Sequence, residues 1–282
     1  MLLALVAYAT WGMFPLFFRL LEDASAWEVV AHRALWSLPV ALLAVAATGR
    51  LTGARAMLRN GAQMRVMTAS ALLLFLNWAM FVWGVNAERT VEVSLGYYIN
   101  PLINVLLGFL LLGERFSRAQ TLAIALAALA VGWLTVAAGV FPWLALLLGG
   151  TFSVYGYLRK TMRADSLTGY FGETLVMLPV ALALPGALAF MGLPLRFGHD
   201  AGLTGLLILS GPVTAVVLLI FAAAARRIRY STMGLLQYLT PTMHFLIAVF
   251  LFGEPFTAHH AVAFTLIWLA LAIYAIDGWR RR

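Results

Sequence analysis

The sequence predicts an all-α membrane protein whose ten transmembrane helices form two inverted five-helix repeats. The first observation is composition, because 63% of the residues are hydrophobic and only 11% are charged, whereas soluble domains carry about 25% charged residues. The second is length, since apolar stretches of about 20 residues recur along the chain and each can cross a bilayer. The third is a block, residues 97–117, that returns as residues 237–257.

Ten apolar stretches separated by short connections are predicted to span the membrane. They cover residues 2–20, 28–48, 66–86, 93–112, 119–138, 143–158, 167–190, 203–225, 231–252 and 259–278. The first is expected to be a spanning helix and not a signal peptide, because no convincing cleavage site follows it. An even number of spans places both termini on the same side of the membrane.

The basic residues indicate which side that is. Fifteen of the nineteen Lys and Arg residues fall on the side of the termini, and only Arg19, Arg33, Arg89 and Arg196 fall on the other. Because cytoplasmic loops are enriched in Lys and Arg, we expect both termini in the cytoplasm. Orientation and lipid headgroups account for the net charge of +8, so the lipid bilayer is an expected partner and nucleic acid is not.

The repeated block divides the chain into two predicted domains, residues 1–140 and 141–282. It aligns without a gap and pairs Tyr98 with Tyr238, Pro101 with Pro241, Gly113 with Gly253, Glu114 with Glu254 and Phe116 with Phe256. Each half holds five spans, an odd number, so the halves must be inserted with opposite orientation. Such inverted repeats are typical of secondary transporters, whose sites lie between the repeats near the bilayer midplane.

Spans 4 and 9 carry the first candidate site residues. Pro101 and Pro241 lie near the middle of these spans, where each lacks an N–H and frees the carbonyl four residues earlier. They are either a pair of hinges beside a cavity or static packing kinks. Two polar stripes at helical spacing accompany them, Tyr97, Asn100 and Asn104 on span 4 and Gln237, Thr240 and His244 on span 9, with Tyr238 beside the second. These side chains either bind a solute or bond to neighbouring helices.

Aromatic side chains deep in the spans form the second candidate group. Tyr8, Trp11, Pro15 and Phe18 share one face of span 1, Asn77, Trp78 and Phe81 share a face of span 3, and Tyr155 lies in span 6. Trp11 and Trp78 lie too deep for the interfacial belt that usually explains tryptophan. Such residues suit an amphipathic or aromatic solute, and a Trp face can hold an ammonium group. The alternative is ordinary helix packing.

Ionisable residues inside spans are the third candidate group. Glu173 and His244 are candidates for proton coupling, although Glu173 could instead pair with a basic residue at the inner surface. His32 and Arg33, beside Glu28, form either an outer gate that contacts an anionic solute or a network that braces the helix. Glu114 and Glu254 follow helix-ending glycines and are interpreted as structural, because a carboxylate stabilises the N-terminus of a helix.

Motifs of the other function classes are missing from the sequence. There is no GxxxxGK[ST] loop, no HExxH motif and no cysteine, so an ATP-driven pump and an intramembrane enzyme are not expected. His259 and His260 lack further nearby ligands, so no metal site is expected. No cofactor is implied.

Several strings resemble the drug/metabolite transporter superfamily, in its EamA-type ten-helix group and its RarD-like branch. They are YATWGMFPLFFRLL, EVVAHRALWS, NWAMFVWGVN, SLGYYINPL, YGYLRK, GETLVMLP and GLLQYLTPT, and the resemblance covers nearly the whole chain. It implies a permease of the bacterial inner membrane for small organic solutes, with relatives that export amino acids, including aromatic ones.

Together these patterns predict a monomeric secondary transporter that exports small amphipathic solutes such as amino acids by alternating access. The predicted substrate-binding residues are Trp11, Asn77, Trp78, Phe81, Tyr97, Asn100, Asn104, Tyr155, Gln237, Tyr238 and His244. A channel-like facilitator and a drug efflux permease are the alternatives, because both need the same cavity.

Overall fold

The computed structural model describes residues 1–87, 89–139, 141–251, 253 and 257–280, and all the regular secondary structure in that part of the chain is helical. Thirteen helices follow one another in these ranges: α1 (Leu2–Gly12), α2 (Phe14–Arg19), α3 (Ala26–Ala47), α4 (Leu51–Leu58), α5 (Gly61–Asn86), α6 (Thr90–Leu112), α7 (Arg118–Ala138), α8 (Trp143–Thr161), α9 (Ser166–Phe190), α10 (Ala201–Ala225), α11 (Tyr230–Gln237), α12 (Leu239–Phe250) and α13 (Ala258–Arg280). The all-α prediction is confirmed.

Eight segments of the described chain are long and apolar enough to cross a bilayer. They are α1 together with α2, and α3, α5, α6, α7, α9, α10 and α13. The two other predicted spans correspond to α8, whose last turn carries Arg159 and Lys160, and to the pair α11 and α12, neither of which can span alone. The count of ten spans therefore stays a prediction.

Spans 1 and 9 are each divided into two helices. Pro15 lacks the N–H that would bond the carbonyl of Trp11, and α1 ends at Gly12. Pro241 removes the corresponding bond to the carbonyl of Gln237, and α11 ends at Gln237. Proline therefore breaks both spans at the position that its missing donor predicts.

Helix α4 was not predicted. Ala54 and Met57, three residues apart, are buried, while Leu51 and Arg55 are exposed. This one-sided pattern fits a short surface helix that packs by one face, and α4 packs on α9. Because its apolar face is only two side chains wide, the sequence pattern is too short to stand out.

Helix contacts divide the chain into two compact units. Unit 1 comprises Met1–Met13, Gly84–Ser153 and Arg227–Arg282, and unit 2 comprises Phe14–Trp83 and Val154–Arg226. Each unit takes helices from both predicted halves. The chain leaves unit 1 after Met13 and again after Ser153. These two residues are equivalent positions of the repeat, so the boundary between the units falls at the same place in both halves. The halves 1–140 and 141–282 stay a prediction from sequence.

Small residues form the core of unit 1. Helices α7 and α13 pack together through the buried residues Ala123, Ala127, Ala130, Ala263, Ile267 and Ala270. The opposite face of α7 exposes Leu122, Leu129 and Val136. Small residues inside and large apolar residues outside are the pattern of a helix that faces lipid and packs closely on a neighbour.

Helix α3 forms the centre of unit 2, where it packs on α9 and α10. Ala34, Ala71, Met177 and Ala181 form one buried apolar cluster there, and Leu21, Ala24, Val29 and Leu207 form another. One position on these helices requires glycine, because a Cβ at Gly211 would lie 2.4 Å from the backbone of Trp36, and a Cβ at Gly172 would displace the side chain of Met67. The helices of unit 2 therefore approach closely.

Candidate functional site

The predicted polar stripes of spans 4 and 9 meet inside unit 1. Nδ2 of Asn104 on α6 donates to Oε1 of Gln237 on α11 at 2.8 Å. The rings of Tyr97 on α6 and His244 on α12 stand edge to face, with their centroids 5.5 Å apart. In the repeat, Tyr97 corresponds to Gln237 and Asn104 to His244, so exchanging the two halves converts one contact into the other. We call these four residues the crossing cluster.

A second pair of equivalent hydrogen bonds joins α6 to α8 and α12 to α1. Nδ2 of Asn100 donates to the carbonyl of Gly149 at 2.7 Å, and Oγ1 of Thr240 donates to the carbonyl of Tyr8 at 2.9 Å. Asn100 corresponds to Thr240, and Tyr8 corresponds to Gly149 when the offset of the repeat is lengthened by one position for spans 1 and 6. The internal repeat is therefore visible in hydrogen bonds as well as in sequence.

Close backbone approach makes the crossing possible. A Cβ at Gly234 of α11 would lie 2.6 Å from the carbonyl oxygen of Pro101 and 2.9 Å from Cβ of Asn104. Real Cβ atoms do not approach a backbone oxygen so closely, so only glycine fits this position. Gly234 thereby brings Gln237 within reach of Asn104.

His244 is oriented by the break in span 1. Its Nε2 lies 3.0 Å from the carbonyl oxygen of Trp11, the carbonyl that Pro15 cannot bond because it has no N–H. A carbonyl oxygen only accepts, so Nε2 carries the hydrogen and Nδ1 is left as an acceptor. His244, Trp11 and Tyr97 are all half-buried, so none of the three residues is completely enclosed.

The ring of Trp11 has two aromatic neighbours. The ring of Trp11 lies 5.9 Å from that of Tyr8 and 5.7 Å, edge to face, from that of Phe152. The offset that pairs Tyr8 with Gly149 also pairs Trp11 with Phe152, so this contact joins equivalent positions of the two halves. The structure therefore brings Trp11, Tyr97, Asn104, Gln237 and His244 into one neighbourhood of unit 1.

Three predicted site residues are buried and hold helices together. Asn100 also donates to Oγ of Ser153 at 2.8 Å, and the hydroxyl of Tyr238 donates to the carbonyl of Tyr98 at 3.1 Å. Tyr155, which is fully buried in unit 2, stacks on Phe221 with the rings 11° from parallel. Their predicted contacts with solute stay untested, and the contacts that the structure gives them are structural.

The remaining predicted residues lie on α5 of unit 2. Asn77, Trp78 and Phe81 are half-buried there. The Arg33 guanidinium lies 4.6 Å from the ring centroid of Trp78. The predicted substrate-binding residues are therefore divided between the two units.

The roles predicted for Glu28, His32 and Arg33 stay a prediction, and the structure shows contacts of all three. The fully buried carboxylate of Glu28 accepts from the backbone N–H groups of Arg196 and Phe197 at 2.9–3.1 Å. His32 accepts from the indole of Trp36 and stacks on Phe197. Glu28 and His32 therefore hold the loop before α10, and Arg33 contacts aromatic rings instead.

Glu173 lies inside unit 2 and pairs with a basic residue, which was one of its two predicted roles. Its Oε1 lies 3.4 Å from Nη1 of Arg159 and accepts from the hydroxyl of Ser70 at 2.5 Å. Both charged side chains are 1% exposed. Arg159 was expected at the inner surface, and its burial is the difference that the sequence did not signal.

Glu114 has the predicted structural role, at a helix other than the next one. Its carboxylate accepts from the backbone N–H groups of Tyr230 and Ser231 and from the hydroxyl of Ser231, which stabilises the N-terminus of α11. The next helix, α7, has its own capping box formed by Ser117 and Gln120. Glu254, the repeat partner, lies outside the described residues, as does Phe256.

The adjacent histidines at the start of α13 have separate neighbours. His259 lies beside the ring of Trp133, and His260 bonds to Thr257. Within the described ranges no group of three His, Cys, Asp or Glu side chains could hold a metal ion.

Known proteins resemble this chain over nearly its whole length. The model of the EamA-like transporter family matches residues 1–136. An uncharacterized transporter of Vibrio cholerae is 41% identical over 98% of this chain and 92% of its own length. Protein RarD of Escherichia coli is 39% identical over 98% of this chain and 94% of its own length. One crystal structure, 17% identical, matches with a TM-score of 0.76 over 100% of this chain and 98% of its own.

Proposed function

The chain belongs to the RarD-like permeases of the EamA family, in the drug/metabolite transporter superfamily, and we propose that it exports small amphipathic solutes, amino acids in particular. As a member of this family it is a multi-pass transporter of the bacterial inner membrane and not an enzyme. The proposal concerns the solute, the direction of transport and the residues that bind.

The crossing cluster is the observation that carries the proposal. It combines half-buried aromatic rings with polar atoms whose bonds are incomplete. Oδ1 of the buried Asn104 has no partner in the part of the chain that the structure describes, although buried polar atoms are normally paired. Nδ1 of His244 is left as an acceptor on a half-buried residue. Such atoms suit a solute that brings its own donors and acceptors.

Each group of an amino acid finds a matching side chain in this neighbourhood. The rings of Trp11 and Tyr97 offer an apolar surface, and an aromatic face also attracts an ammonium group. Nδ1 of His244 can accept a hydrogen bond from that ammonium. The amide of Gln237, whose oxygen is held by Asn104, has N–H groups to donate to a carboxylate.

We propose alternating access between the two repeats, with Pro101 and Pro241 as hinges. The paired hydrogen bonds of α6 and α11–α12 support this, because equivalent parts of the repeats make equivalent contacts. The inverted topology, both termini in the cytoplasm and a monomeric transporter belong to the same proposal. A channel-like facilitator would use the same binding residues but would not couple transport to a proton gradient.

Transport assays in liposomes test the proposal. Purified protein is reconstituted, and exchange of labelled phenylalanine, threonine and methionine is measured at equal pH on both sides. We expect saturable exchange of at least one amino acid above that of empty liposomes. Folded protein that exchanges none of them would contradict the amino-acid assignment and leave the family assignment intact.

A histidine variant tests the position of the site. We expect His244→Ala to reduce the exchange rate about tenfold, because it removes an acceptor worth about 1.4 kcal/mol to a charged ligand group. His199→Ala is the matched control, since His199 is exposed in the loop before α10. Equal rates for the two variants would remove the crossing cluster from the binding site.

A further inference from the structure

Unit 2 contains two charged clusters at equivalent positions of the repeat. The offset of the repeated block pairs Arg33 on α3 with Glu173 on α9, and the slightly longer offset of spans 1 and 6 pairs Phe18 with Arg159. Phe18 contacts Arg33, just as Arg159 contacts Glu173. A hydroxyl of another helix completes each cluster, from α10 in the first and from α5 in the second. We call them the Arg33 cluster and the Glu173 cluster.

The Arg33 cluster holds a permanent charge against aromatic rings. The guanidinium carbon lies 5.2 Å from the ring centroid of Phe18 and 4.6 Å from that of Trp78. Nε donates to Oγ1 of Thr214 at 3.1 Å. An arginine side chain does not lose its proton in a protein, so this cluster cannot respond to pH.

The Glu173 cluster is an ion pair with incomplete bonds. One contact of 3.4 Å joins Nη1 of Arg159 to Oε1 of Glu173, where a bidentate pair would form two shorter bonds. Oε2 of Glu173 and Nε of Arg159 are buried and have no partner among the residues that the structure describes. A buried pair is stable only when its geometry is good and its remaining bonds are made.

Space around Arg159 comes from α9. A Cβ at Gly169 would lie 2.4 Å from Nη1 of Arg159, so the guanidinium occupies space that a side chain at residue 169 would fill. Nη2 donates to the carbonyl of Ser166 at 2.6 Å, near the surface end of α9. Arg159 lies in the last turn of α8, so it has a short path to water if it loses its carboxylate partner.

We infer that Glu173 is a proton-binding site that couples solute export to proton entry, with Arg159 as the charge that protonation releases. The inference rests on the proposed transport function. Glu173 takes a proton from the aqueous phase and becomes a neutral carboxyl, and the pair changes from zero net charge to +1. Arg159 then favours a conformation in which its end of α8 is hydrated. Arg33 occupies the position of the repeat that is equivalent to Glu173, and its guanidinium keeps its proton.

Few other ionisable groups can account for such a response. Tyr155 of α8 and Tyr170 of α9 lie within electrostatic reach of Glu173, and phenols are uncharged near neutral pH. Arg65 of α5 and Arg55 of α4 are exposed, and α10 carries no ionisable side chain. On α3, Arg33 carries a fixed charge that reaches Tyr170, and Glu28 and His32 contact the loop before α10. On α8, Lys160 donates to the carbonyl of Ala225.

Liposomes with an acidic lumen test the coupling. With one proton exchanged per solute, a gradient of one pH unit supports about tenfold accumulation of the labelled amino acid. We expect Glu173→Gln to accumulate no solute above equilibrium, and the matched control Glu22→Gln, an exposed glutamate, to accumulate as the natural protein does. Accumulation by Glu173→Gln equal to that of the natural protein would overturn the inference and leave the transport function standing.

A second measurement does not depend on the solute. The chain has no cysteine, so Thr161→Cys, at the exposed end of α8, accepts a single nitroxide label. We expect the label to become more mobile between pH 8 and pH 5, and to show the pH 5 spectrum at both pH values when Glu173→Gln is added. A spectrum of the otherwise natural chain that does not change with pH would overturn the inference, even if no amino acid is transported.

Discussion

Helix α6 and the pair α11–α12 are the same block of sequence in two different backbones. Both carry a proline four residues after the first residue of the polar stripe, and both make equivalent bonds to α8 and α1. Yet α6 runs unbroken from Thr90 to Leu112 past Pro101, whereas the second copy is divided at Tyr238, before Pro241. A proline therefore does not decide by itself whether a span breaks.

The neighbouring bonds explain the difference. Asn100, the residue before Pro101, donates to two groups of α8, the carbonyl of Gly149 and the hydroxyl of Ser153. Thr240, the residue before Pro241, donates only one hydroxyl bond, to Tyr8. We attribute the straight course of α6 to the additional bond that Asn100 makes to α8.

The largest expected effect comes from adding a side-chain atom where α6 and α11 are in close contact. Gly234→Ala places a Cβ against the carbonyl of Pro101 and should lower the free energy of unfolding by about 3 kcal/mol, because the backbone must move apart. Gly132→Ala is the matched control, since a Cβ there meets nothing within 4 Å and alanine favours the helix by about 1 kcal/mol. Thermal unfolding in detergent measures both, and equal melting temperatures would contradict the close approach of α6 and α11.

A smaller loss of stability is expected when Glu114, near the end of the first repeated block, no longer stabilises the start of α11. Glu114→Gln removes the charge that accepts three bonds from Tyr230 and Ser231 and should cost about 2 kcal/mol of stability. Glu22→Gln, at an exposed glutamate, should be neutral. Unchanged thermal stability of Glu114→Gln would show that the carboxylate does not hold α11.

The smallest expected effect is a difference in solute exchange rate between variants of the two prolines. Pro241→Ala restores the donor that closes the break at Tyr238, and we expect solute exchange to slow about tenfold, or about 1.4 kcal/mol. Pro101→Ala removes the other proposed hinge, but from a helix that is already continuous, so we expect a smaller slowing, about threefold. Equal rates for the two variants would show that the break in span 9 has no part in transport.

The polar stripes show how far the sequence reached. Spacing at i, i+3 and i+7 placed Tyr97, Asn100 and Asn104 on one face of a helix, and the structure has them on α6 facing the second stripe. Spacing could not show that Asn104 bonds Gln237 while Tyr97 meets His244, because these contacts depend on how two helices cross. It also could not separate the accessible Tyr97 and His244 from the buried Asn100 and Tyr238.

Arg159 and Glu173 show where sequence reasoning stopped. A basic residue at the end of a span is usually anchored among headgroups, so Arg159 was assigned to the surface. In the structure Gly169 leaves room for the guanidinium, and Ser70 bonds the carboxylate of Glu173 from a distant part of the chain. No local pattern connects these positions.

The sequence by itself determined the helical fold, the repeat and the family, because apolar length and internal similarity are properties of the chain alone. It also identified Pro241 as a kink or hinge, because a missing N–H frees the carbonyl four residues earlier, whereas the break before Pro15 was found only in the structure. Only the tertiary structure decided that α6 stays straight and α11–α12 does not, that each compact unit mixes both halves, and that Glu173 pairs with Arg159. These outcomes depend on groups far apart in sequence that meet only after the helices have packed.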